Sequence, residues 1–164
     1  MIPSLVDEIN LYAPYQVFEG DEANSLIFFT DSELEYVVSF VKDETLDDCN
    51  NIFQFLIEAK SSSHSNNDTN VSETIACIAK AFFSHHPDYM LTFVCDISDF
   101  RQAARQRLFS RWFQKFNQDE YEKFDWQIET EDCTFYASMI GCKEYDYLYE
   151  YKIAFGEFVT SLQK

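Results

Sequence analysis

The chain has 164 residues, 46% of them hydrophobic, with only three Gly and three Pro, so it is long enough to bury about two-thirds of its unfolded surface and is not a disordered acidic tail. Its net charge of −17 repels nucleic-acid phosphates and anionic membranes, and leaves basic proteins, cations or nucleic-acid mimicry as target classes. The same acidity also keeps soluble a chain in which 18% of residues are aromatic, more rings than a small core readily holds.

The first segments read as strands. Residues 15–18 form a short edge strand, and residues 26–30 and 35–42 are rich in aromatic and β-branched side chains, with the turn Asp31-Ser-Glu between them. Residues 51–58 follow a turn at 47–50, and strands joined this tightly make an antiparallel meander. Residues 61–70 are a Ser/Asn-rich loop, expected to be mobile, between a strand half and a mixed half that share one core in a single domain spanning 1–164.

Helical spacing begins with Ile75, Ile78, Ala79, Phe82 and Phe83, capped by Asn70 with Glu73 and ended by His85-His86-Pro87. Residues 89–95 are a continuous apolar run, hence a central strand. An arginine-rich helix follows, with Asp99 as N-cap and Gln102 at N3. Strands at 125–130 and 133–140 flank Glu131-Asp132. Tyr145, Tyr147, Tyr149 and Tyr151 alternate like a strand, yet Leu148, Tyr151, Phe155, Phe158, Val159 and Leu162 repeat like a helix; the longer pattern sets a helix from about Asp146. The expected fold is α+β, an antiparallel-dominated sheet of five to seven strands with three helices on one face, in the order β-β-β-α-β-α-β-β-α.

All four arginines lie between Arg101 and Arg111, and residues 101–117 hold five bases and no acid. Phe109, Trp112, Phe113 and Phe116 share one helix face; Arg107, Arg111 and Lys115 form a stripe at i, i+4, i+8 on another. That stripe is either a solvated face or a dock for an acidic surface, including that of a second copy. Arg105 projects near Trp112 and Phe116, with Arg101 one turn earlier, so both need acceptors, and Asp96 and Asp99 are nearest. The junction Asp96/Asp99/Arg101/Arg105 is therefore an ion-pair anchor or, alternatively, a small-anion or nucleotide site at a helix N-terminus, with enzymatic chemistry open to it. The turn there lacks a glycine, and its two acids oppose an anion.

The segment Cys95-Asp-Ile-Ser-Asp-Phe-Arg-Gln-Ala-Ala-Arg-Gln-Arg-Leu-Phe-Ser-Arg-Trp-Phe113, with Tyr136-Ala-Ser138, resembles a family of small uncharacterised bacterial proteins known as a domain of unknown function. The resemblance covers roughly residues 70–155. It implies a bacterial cytoplasmic protein and no established activity, and it transfers no catalytic residue. The Ser/Asn-rich loop and the tyrosine alternation have no counterpart in that family.

Other chemistry finds no pattern. The five cysteines are odd in number and lack zinc spacing, as expected of reduced thiols; the three histidines do not converge, and no nucleophile elbow or glycine-rich phosphate loop is present. No secretory signal or bilayer-length apolar run is visible. The sequence therefore leans away from an enzyme and calls for no cofactor or metal. It points to a cytoplasmic interaction protein that binds a basic protein partner or forms a homo-oligomer, resembling antitoxins, immunity proteins or inhibitors only in size and charge. Nucleic-acid mimicry is a third reading.

Overall fold

A computed structural model describes residues 2–46, 49–60, 68–94 and 102–163, with the side chains of residues 2–4 not described. The elements in chain order are α1 (Ile2–Asn10), β1 (Val17–Glu19), β2 (Ser25–Phe29), β3 (Glu35–Lys42), β4 (Ile52–Ala59), α2 (Thr69–His85), β5 (Met90–Val94), α3 (Gln102–Phe116), β6 (Tyr121–Glu129), β7 (Thr134–Cys142) and α4 (Leu148–Ser161). The fold is α+β. The seven strands among the described residues are hydrogen-bonded in the order β1-β2-β3-β4-β5-β7-β6.

Two expectations about the helices need correction at once. Four helices are present among the described residues, because α1 precedes the first strand. It is nine residues long, too short to show periodicity, and owes its place to Leu5 and Ile9, which are fully buried one turn apart. The cap of α2 is Asp68, whose side chain accepts from the Asn70 N–H, and not Asn70 with Glu73. β1 to β4 are successive neighbours in the sheet, as a meander requires, and a parallel pair, β4 with β5, is joined through α2, the crossover such a pair needs.

The chain divides into two compact units, residues 1–41 with 55–86 and residues 42–54 with 87–164. Their boundary does not follow the Ser/Asn-rich stretch, since each takes residues from both sides of it. Within the first unit the inward positions Leu26, Phe28, Val38, Phe40 and Phe55 are buried, and Phe82 of α2 stacks on Phe40 with ring centroids 4.6 Å apart. Asn10 ends α1 by gripping both main-chain groups of Val17, accepting from its N–H at 2.8 Å and donating to its carbonyl at 2.9 Å. The Tyr15 hydroxyl donates to Asp68 at 2.5 Å, so one aspartate both caps α2 and fastens the chain entering β1. Burial, and then that hydrogen bond, push the Tyr15 hydroxyl above its ordinary pKa.

The second unit is built on the β6–β7 hairpin, where α3 and α4 pack against side chains of opposite faces, correcting the expectation that all helices share one. Alternation explains it: Phe124, Trp126 and Ile128 of β6 and Ala137 and Met139 of β7 meet Leu148, Phe155 and Val159 of α4. Residues of opposite parity, Lys123, Asp125 and Ser138, meet α3. The α4 contact is close. A Cβ at Gly141 would come within 2.4 Å of Leu148 Cδ1 and 3.3 Å of Met90 Cγ, so any larger residue there must displace Leu148.

Candidate functional site: the α3 helix and the polar cluster beneath it

Of the residues singled out at the strand–helix junction, Asp96, Asp99 and Arg101 lie outside the described residues. Arg105 is half-buried on α3. Arg107, Arg111 and Lys115 are exposed, and among the described residues no carboxylate forms an ion pair with them; the Lys115 ammonium instead lies 5.2 Å from the centre of the Phe116 ring. Phe109 is the ring of α3 that is buried against the sheet, stacked on Phe93 of β5 at 4.2 Å, while Trp112, Phe113 and Phe116 are half-buried.

Apart from Gln102, the groups described below that fasten α3 to the hairpin are ones the sequence did not single out. Lys123 of β6, its side chain 5% exposed, pairs with Asp125 two residues on along the same face and donates to Ser110 of α3 at 3.1 Å. Its ammonium also lies 5.7 Å from the centre of the Phe109 ring. Asp125 faces Ser138 across the ladder and accepts from its hydroxyl at 2.6 Å and from the Gln106 amide at 3.1 Å. One turn earlier on α3, Gln102 donates to the Thr134 carbonyl at 2.9 Å. Ser110 and two glutamines of α3, Gln102 and Gln106, thus hold it to the hairpin. The spacing Lys-x-Asp on a strand, with apolar Phe124 and Trp126 on the other face, was the available signal.

The cluster's electrostatics argue for fastening over catalysis. Burial pushes the Asp125 carboxyl up, but hydrogen bonds from Lys123, Ser138 and Gln106, with the Lys123 charge, outweigh it and hold the carboxyl below its ordinary value. Ser138, fully buried, donates its hydroxyl to Asp125 and has no access to a substrate. Burial likewise raises the Cys77 and Cys142 thiols, which makes them weaker nucleophiles. Among the described residues no group of three or more His, Cys, Asp or Glu side chains converges on a metal position, and no helix is long and apolar enough to cross a membrane.

Residues 67–156 match a family of unknown function, DUF6169. The chain belongs to this family. The matched segment runs from just before α2 into the second half of α4, so it includes α3, the β6–β7 hairpin and the cluster between them. No curated protein and no solved structure matches the chain.

Proposed function

We propose that this chain is a non-catalytic interaction protein of the bacterial cytoplasm that binds a basic protein partner. The observation that carries this reading is an uncompensated acidic surface. The first 41 residues contain eight acids and no Lys or Arg, and six of those acids, Asp7, Glu19, Asp21, Glu22, Asp31 and Glu33, are exposed. Acidity serving only solubility would be met by interspersed bases at little cost. Here the field is of one sign, and such a field raises the encounter rate with a positive partner and repels a negative one. Among the described residues no metal ligands converge, and burial raises the Cys77 and Cys142 thiols, which favours binding over catalysis.

The test is retention of a defined basic protein on the immobilised chain as salt is raised. Retention at low ionic strength and release at high is expected, and converting Asp21, Glu22, Asp31 and Glu33 to lysine should abolish it. If the charge-reversed chain retains the same protein equally well, the reading fails.

A further inference from the structure

The acidic segment carries a second feature that solubility does not require, and it lies on the face of β1 to β4 that α1 and α2 leave uncovered. An antiparallel sheet with one solvated face normally alternates apolar inward and polar outward. The inward half of that rule holds in the first unit, where Leu26, Phe28, Val38, Phe40 and Phe55 are all buried. The outward half does not. Phe18 pairs in register with Ile27, and Ile27 with Val37, so three adjacent strands present one unbroken apolar row. Phe29 lies two residues from Ile27 on β2, Val41 lies at the end of β3, and Leu56 projects from β4 opposite in parity to buried Phe55. Phe18, Phe29, Val41 and Leu56 are 45%, 50%, 45% and 43% exposed. Single exposed apolar residues need no explanation, but a contiguous set of them marks a contact surface.

Charge identifies what would cover it. Glu35 is the register partner of Phe29 on the same face, Glu58 shares the outward parity of Leu56, and the Asp31–Glu33 turn closes one end. Lys60, 3.5 Å from Glu58, is the base beside this rim. A second copy would oppose two faces of like charge, which the field disfavours. We infer that the outward face of β1–β4 docks an amphipathic segment of a basic protein, its apolar side chains on Phe18, Ile27, Phe29, Val37, Val41 and Leu56 and its Lys or Arg residues over the acidic rim. This rests on the basic-partner reading above and adds the surface and the kind of segment it takes.

The experiment titrates a fluorescent amphipathic Leu/Lys peptide against the full chain at low salt, with oligolysine of equal charge and a Leu/Glu peptide of the same pattern as controls. The Leu/Lys peptide should bind more tightly than oligolysine, and the Leu/Glu peptide should not bind. Replacing Phe29 and Leu56 together by serine should weaken Leu/Lys binding about tenfold or more, while Ile153→Ser, an equally exposed site on α4, leaves it unchanged. Phe29→Lys, which leaves every buried position intact, should give the same loss and guards against a folding defect in the double variant. Equal binding by F29S/L56S, or equal binding of oligolysine, overturns the surface and leaves the basic-partner reading standing. No binding of either cationic peptide removes both. A wild-type dimer that F29S/L56S dissociates would make a second copy the occupant and overturn the inference.

Discussion

The two compact units differ most in how they treat charge. Residues 1–41 and 55–86 hold eleven acids against two bases, Lys60 and Lys80, whereas residues 42–54 and 87–164 hold eighteen acids against ten bases, all four arginines among them. In the second unit opposite charges are put to internal use: Lys123 and Asp125 hold α3 on the hairpin, and Lys143 pairs with Asp119. The first unit is held mainly by stacked rings (Phe40 on Phe82 and Phe55), by the Asn10 amide on Val17, and by Asp68, which accepts from Tyr15 and caps α2. Most of its acids are thereby left over for the surface, Asp68, Glu8 and Glu58 being among those with partners. Where a carboxylate is consumed by structure it is unavailable for recognition, and the family match falls mainly on the unit that consumes them.

Core substitutions should break this contrast most forcefully. Phe82→Ala removes a fully buried ring from the first unit and should cost about 3–5 kcal/mol in chemical denaturation. Hydrogen exchange should place the lost protection on β2, β3 and α2; uniform loss over β6 and β7 as well would show that the two units open together. Gly141→Ala sharpens the comparison from the other side, because the new methyl must displace buried Leu148, at a cost of about 1–3 kcal/mol borne by β7 and α4. An unchanged midpoint would mean that α4 sits more loosely than its contacts indicate.

The smallest effect tests the charged fastening itself. Asp125→Asn leaves the Lys123 ammonium buried with a neutral partner. Because Asp125 is 49% exposed and water screens the pair, the expected cost is about 1–2 kcal/mol near neutral pH. The folded-state carboxyl is held below its unfolded value, so its contribution is full above about pH 4 and is lost as pH falls through the lower, folded-state value. The stability gap between wild type and variant should therefore be flat through neutrality and close in acid. A gap that persists at pH 2, measured by denaturant titration, would assign it to packing.

How far the sequence could be read follows from the same physics. β3 was legible to the residue at 35–42 because a β-branched and aromatic run sits between polar turns, and α2 ends at His85 because Pro87 cannot extend it. The tyrosine alternation gave way to α4, whose buried Leu148, Phe155 and Val159 keep helical spacing. What escaped was non-local. The pairing of β4 with β5 and the meeting of Asp125, Ser138 and Gln106 depend on which strands become neighbours, and α1 is helical only because Leu5 and Ile9 find a core. At the site, exposure of Arg107, Arg111 and Lys115 agrees with their helical phase, while the polar residues that do the fastening carry no composition signal.

Asn10 has one last consequence. β1 ends the sheet, and an open strand there would offer its main chain to any passing extended peptide. By taking both the N–H and the carbonyl of Val17, one amide side chain sits where an eighth strand would begin. Lateral extension of the ladder is thus blocked at the first residue of the edge, which shortens the main chain left open to an incoming strand.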